Sequence, residues 1–81
     1  MKARVYVTLK TTVLDPQGAT IRSALAGMGH ADIADVRQGK YFEIKIAEGA
    51  DAGKVREEID RIAAEILSNP VIEEYRVEIL E

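Results

Sequence analysis

No cysteine occurs anywhere in the 81 residues, so no disulfide can reinforce the fold. The single histidine cannot furnish the ligand set of a structural zinc site without cysteines beside it. No apolar run approaches the roughly 20 residues that a membrane-spanning helix requires. The opening Met1-Lys2-Ala3-Arg4-Val5-Tyr6 lacks the apolar block of a secretory signal and passes at once into an alternating pattern. Neither sign of charge dominates: 11 basic and 14 acidic residues are interleaved for a net charge of −3. A nucleic-acid binder would instead concentrate Lys and Arg on one face. These absences leave a cytoplasmic chain without redox chemistry, without resident metal or cofactor, and with no membrane or nucleic-acid partner.

Residues 1–81 make one domain. A chain of this size buries only about 60% of the surface its unfolded form exposes. Stability must come from good local structure, a compact core or a partner subunit.

The chain begins with strict alternation. Ala3, Val5, Val7 and Leu9 face one way, and Lys2, Arg4, Tyr6, Thr8 and Lys10 the other, the period of a strand with one buried face. Asp15-Pro16 reads as an N-cap followed by a proline in the first helical turn. Ile21, Ala24, Leu25 and Met28 then form a helical stripe, and Gly29 is placed to close that helix in the left-handed conformation. A second strand is predicted over Ile33–Arg37, joined through the tight link Gln38-Gly39-Lys40 to a third. In the third, Phe42, Ile44 and Ile46 point inward and Tyr41, Glu43 and Lys45 outward. Asp51 is a second N-cap, and Val55, Ile59, Ile62, Ala63 and Ile66 give the strongest helical stripe in the chain. Ser68-Asn69-Pro70 ends it, Asn69 being suited to a left-handed residue. A last strand runs over Ile72–Leu80, with Tyr75, Val77 and Ile79 on one face. The predicted fold is α+β, a two-layer β-α-β-β-α-β arrangement of ferredoxin-like type, with an antiparallel sheet of four strands and two helices on one face.

Catalysis requires converging groups, and none is evident. His30 follows a helix-ending glycine, where a solvated side chain is the ordinary outcome. Ser23 and Ser68 have no histidine at a suggestive spacing. Asp15-Pro16-Gln17-Gly18 lacks the P-loop pattern and carries a carboxylate that would repel an anion. Tyr41 and Phe42 are adjacent and so face opposite sides of a strand, unlike the stacking aromatics of an RNA-binding sheet. Tyr6 and Tyr41, with the long side chains of Arg4, Lys10 and Lys45, fall on the open face of the sheet, where several such residues together suggest an interface.

The connecting segments are more specific. Val13-Leu14-Asp15-Pro16-Gln17-Gly18, Val36-Arg37-Gln38-Gly39-Lys40 and Asn69-Pro70-Val71-Ile72-Glu73-Glu74-Tyr75 occur in this order. With the Leu9-Lys10 strand end and the Ala24-Leu25…Met28-Gly29 helix end, they resemble the PurS family, small subunits of phosphoribosylformylglycinamidine synthase, over essentially the whole chain. The resemblance implies a non-catalytic subunit that works with a synthetase, PurL, and a glutaminase, PurQ. Their complex converts formylglycinamide ribonucleotide, glutamine and ATP, with magnesium, into formylglycinamidine ribonucleotide, glutamate, ADP and phosphate. ATP and magnesium are implied to belong to the synthetase subunit. A homodimer, or a dimer of dimers, is implied to bridge the other subunits and support ammonia transfer.

The positions carrying the resemblance are the candidate partner contacts: Leu14, Asp15, Gln17, Gly18, Arg37, Gly39, Lys40, Asn69, Glu73 and Tyr75. Asp15 and Asn69 also read as helix caps, Gly39 as a turn and Tyr75 as core. Gln17, Arg37 and Lys40 have the weakest structural reason to be there. A different class, an ACT-like small-molecule-binding regulatory module, shares the element order. It usually has a glycine-rich first turn, whereas this chain has Asp-Pro-Gln-Gly.

Overall fold

The computed structural model describes residues 1–80. Strands β1 (Lys2–Leu9), β2 (Gly39–Lys45) and β3 (Glu73–Leu80) and helices α1 (Pro16–Gly27) and α2 (Ala52–Ile62) follow in the order β1-α1-β2-α2-β3. A π-helical turn, Ala63–Leu67, extends α2. The sheet is antiparallel with order β2-β1-β3, so β1 is central. Its alternation is therefore the sharpest in the chain: Ala3, Val5 and Val7 are fully buried.

Register places Val5 between Phe42 and Val77, and Val7 opposite Tyr75. Val55, Ile59 and Ala63 come down on this face from α2 and its extension, and Ile44, Ile46, Ile62, Leu67 and Ile79 close around them. The inward sets expected for the strands are the ones observed.

Four local expectations are corrected. Ile33–Arg37 is not a strand, and the sheet has three strands among the described residues. The segment's apolar residues do not alternate, and its Asp35 side chain accepts from the Val36 N–H at 2.9 Å, bending the chain locally. Without that strand there is no hairpin. Gly39 lies within β2, opposite Thr8, and its lack of a side chain serves close approach instead: a Cβ there would sit 2.4 Å from the Val7 carbonyl oxygen. Asn69 is not left-handed, because Ser68 ends the helix, its backbone N–H and Oγ both donating to Ala63 O at 3.0 and 2.8 Å.

That bond spans five residues, and the wider turn delays the apolar stripe by one position. Leu67 packs on the core while Ile66 is 74% exposed. Gly29, by contrast, has the expected left-handed φ of +95°. His30 N–H donates to Leu25 O and Gly29 N–H to Ala26 O, a Schellman ending for α1.

The two helices are used unequally. α2 buries Val55 and Ile59 against the sheet, whereas in α1 only Gly18 is buried. Ile21 and Met28 of the predicted α1 stripe are 40% and 74% exposed. The molecule is 51 Å long, close to an eight-residue strand of about 27 Å and a twelve-residue helix of about 18 Å laid end to end. Thus α1 extends the molecule rather than covering the sheet beside α2.

The π turn has a measurable consequence. Ile59→Ala should cost about 3 kcal/mol, as expected for a core isoleucine emptied to alanine. Ile66→Ala, seven residues on and nominally in the same stripe, should stay within about 0.5 kcal/mol of wild type. Urea denaturation of both variants checks this.

Candidate subunit-docking surface

All three connecting segments meet at one end of the sheet. Asp15, the N-cap of α1, is 5% exposed and uses both carboxylate oxygens. Oδ1 accepts from Gly18 N–H at 2.9 Å, and Oδ2 accepts from Gln38 N–H at 2.7 Å. One side chain thus closes the first turn of α1 and clasps the approach to β2. The N–H groups of Gln38 and Gly18 hold this carboxyl below the ordinary carboxylate range against the opposing effect of burial, and the Arg37 charge adds to them.

Gly18 is required by the same contact. A Cβ on it would fall 2.1 Å from Val36 O, so only glycine lets the 36–38 backbone pass under the helix. Arg37 is equally local in its work: its Nη2 donates to Lys10 O and to Val13 O, both at 2.9 Å, tying the turn after β1. Arg37 therefore has a structural occupation that its sequence position did not reveal.

In front of this clasp lies a cleft of about 250 Å³. Gln17, Gln38, Gly39, Lys40 and Glu73 line it, above Val7 and Leu9. Lys40 Nζ stands 3.6 Å from Glu73 Oε2, pairing the start of β2 with the start of β3 across β1. Glu73 also accepts the Asn69 N–H at 2.7 Å, and Asn69 Oδ1 accepts from Val71 N–H at 3.1 Å, so the turn before β3 is fixed from both sides.

The ten candidate positions therefore separate. Gln17, Gly39, Lys40 and Glu73 share the cleft; Asp15, Gly18, Arg37 and Asn69 build its walls from behind. Leu14 stands 77% exposed on the adjoining surface. Tyr75 faces the core side, its hydroxyl donating to Asp60 Oδ1 at 3.1 Å. Gln38 joins the cleft although only its neighbours were singled out as candidates; its place beside the Asp15 cap depends on a contact across 23 residues that the sequence does not signal.

The second surface is the sheet face turned away from α2. Register aligns Tyr41, Tyr6 and Arg76 in one row and Glu43, Arg4 and Glu78 in the next. The Tyr6 and Tyr41 rings are 5.3 Å apart, and Arg76 lies over Tyr6 at 4.3 Å. Arg4 Nη1 meets Glu78 at 3.4 Å, and Lys2 Nζ meets Glu43 at 3.3 Å. Arg4 Nε is buried and has no partner among the described residues. Burial, together with the Glu43 carboxylate its hydroxyl donates to, holds Tyr41 above the usual tyrosine range. Lys10 lies one residue beyond β1, and its backbone N–H donates to Ile72 O at 2.8 Å.

Both surfaces display side chains without assembling a reacting constellation. His30 is exposed at the far end of α1, and among the described residues no three of His, Asp and Glu gather as a metal set. No helix among them is long and apolar enough to cross a membrane.

Comparison with known proteins places this geometry. Residues 2–81 match the family described as "PurS: Phosphoribosylformylglycinamidine (FGAM) synthase". The phosphoribosylformylglycinamidine synthase subunit PurS of Mycobacterium leprae is 43% identical over 94% of the chain and 91% of its own length. The solved PurS of Bacillus subtilis superimposes with a TM-score of 0.82 at 41% identity, covering 99% of this chain and 98% of that one. A chain of the structure described as PurLQS from Thermotoga maritima gives a TM-score of 0.86 at 32% identity, covering 98% and 95%.

The clasp yields two predictions. Gly18→Ala should destabilise by about 1–3 kcal/mol, because backbone rather than a flexible side chain must yield; thermal melts measure it. Because the folded-state pKa of Asp15 lies below its unfolded value, its stabilisation is present above the unfolded pKa and is lost as pH falls through the folded one. Asp15→Asn should therefore flatten the acid limb of a melting-temperature profile against pH.

Proposed function

The chain belongs to the PurS family of phosphoribosylformylglycinamidine synthase subunits, and from that membership we propose that it serves the synthase as a non-catalytic spacer between a synthetase and a glutaminase subunit. It is a component of the ligase complex that makes formylglycinamidine ribonucleotide in purine biosynthesis. A relative of the same fold bears the name of a three-part PurLQS assembly, which supports PurL-type and PurQ-type partners for this chain.

The observation that carries the spacer reading is the clustering of the family-bearing segments at one end of the sheet. Asp15, Gly18 and Arg37 are spent on backbone and Glu73 on the Asn69 N–H and Lys40, leaving Gln17 and Lys40 displayed around a shallow cleft. A surface built from behind by such contacts is rigid before it is met, which lowers the ordering cost of association. Ammonia passed from a glutaminase to a synthetase must be kept from bulk water and protons, and aligned subunit surfaces provide that exclusion. In this reading ATP and magnesium bind the synthetase subunit, and the chain works as a homodimer or a dimer of dimers.

Reconstitution tests the proposal. The purified chain alone should turn over nothing; added to the synthetase and glutaminase subunits it should restore glutamine-dependent formylglycinamidine ribonucleotide synthesis. Lys40→Glu should weaken its capture by the other two subunits about tenfold, roughly 1.4 kcal/mol, with an unchanged circular dichroism spectrum. Unchanged synthesis with and without the chain would defeat the proposal.

A further inference from the structure

Two hollows adjoin where α1 leaves the sheet. One is the cleft of about 250 Å³ in front of the Asp15 clasp, floored by Val7 and Leu9. The other, of about 330 Å³, lies along the first turns of α1 beside Pro16, Thr20 and Ile21. Gln17 and Gln38 line both. The two therefore form one depression that runs from the start of β3 to the second turn of α1, with these glutamines at its middle.

The charges around it are already matched. Lys40 stands 3.6 Å from Glu73, and Glu73 also accepts the Asn69 N–H. Asp15 accepts two backbone N–H groups, and Arg37 donates to two carbonyls. Lys40 and Glu73 offset each other, so the depression favours neither an anion nor a cation. What is unspent is the pair of carboxamides. Gln38 is fixed by its backbone N–H, and Gln17 sits in the capped first turn of α1. Among the described residues neither glutamine side chain takes part in a hydrogen bond. A carboxamide offers both a donor and an acceptor, the same pair that each residue of an extended backbone presents. The depression is long and shallow, and does not enclose a small molecule as an ordinary ligand pocket does.

We propose that the depression receives an extended, uncharged peptide segment of a partner subunit, its backbone amides meeting the Gln17 and Gln38 carboxamides and an apolar side chain lying over Leu9. The partner is one of the two subunits of the spacer reading, on which this inference rests. Selection is by charge. A carboxylate or an ammonium on the segment would lose its water against an ion pair that is already closed, with no group left to compensate it. Segments of either sign are therefore rejected, and a neutral one loses nothing.

Placing both signs of charge at one glutamine tests this. Gln17→Glu and Gln17→Lys each set an unpaired charge against an uncharged chain. Each should weaken capture by the synthetase and glutaminase subunits about tenfold, in low salt and in high. Gln38→Glu and Gln38→Lys should do the same, away from the helix terminus where a charge at position 17 also acts on α1. Both side chains are exposed, so the circular dichroism and light scattering of all four variants should match those of the wild type.

Stronger capture with either sign would mean an ionic partner and overturn the proposal. So would a change in the self-association of the variants, which would assign the depression to a second copy of this chain. Wild-type capture that all four variants leave unchanged would remove the proposal alone. Failure of the wild-type chain to be captured at all would remove the spacer reading, and the proposal with it.

Discussion

The buried carboxylate of Asp15 holds together parts of the chain that have no other reason to meet. An isolated twelve-residue helix is marginal in water, and α1 rests on no sheet. What fixes its start is a carboxylate shared between Gly18 N–H, three residues on, and Gln38 N–H, 23 residues on. The second bond does what strand pairing would have done for the segment before β2, giving a partly buried backbone donor its partner. Gly18 then has to be glycine because Val36 passes so close, and Arg37 can reach the carbonyls of Lys10 and Val13 because Gln38 is held. The cleft in front of these residues inherits its shape from that one sharing arrangement.

Regular elements were legible wherever one face is buried and the period is clean. β1, the inward faces of β2 and β3, the caps Asp15 and Asp51 and the Gly29 ending all follow from spacing and side-chain chemistry. What escaped depends on encounters between distant segments. Ile33–Arg37 contains apolar residues, but their order does not alternate, and its Ile33 and Val36 N–H groups donate to His30 O and Asp35 Oδ1 rather than to a neighbouring strand. Gly39 looks like a turn because glycine often marks one; its actual use, admitting the Val7 carbonyl, is invisible without the sheet. The π turn rests on a single serine whose hydroxyl and N–H converge on one carbonyl, and no periodicity announces it.

The candidate site was legible as a set and not as a division of labour. The residues carrying the family resemblance do assemble at one end of the sheet. Yet Arg37, which sequence reasoning placed among the positions with least structural excuse, spends its guanidinium on two carbonyls. Lys40, by contrast, stands exposed at the cleft, while Glu73 lines it with one oxygen taken by the Asn69 N–H. Long-range hydrogen bonds from side chain to backbone decide which polar residues are spent and which remain available. They join residues 24 and 27 positions apart in this instance, beyond any local pattern.

The open sheet face is the second surface that the fold leaves uncovered. Cross-strand pairs such as Tyr6 with Tyr41, or Arg4 with Glu78, contribute only about 0.2–1 kcal/mol each, and exposed ion pairs contribute little more. Their value to the isolated fold is therefore small, but they hold long side chains in fixed rows. Arg4 Nε is desolvated there without a partner among the described residues, a cost that a free-standing domain would gain by shedding. A one-sided core and a helix standing off the sheet weaken an isolated chain, and the polar-aromatic face adds little to it. Each becomes an asset once another polypeptide lies against it, because the groups to be matched are already in place and the uncovered apolar area is already exposed.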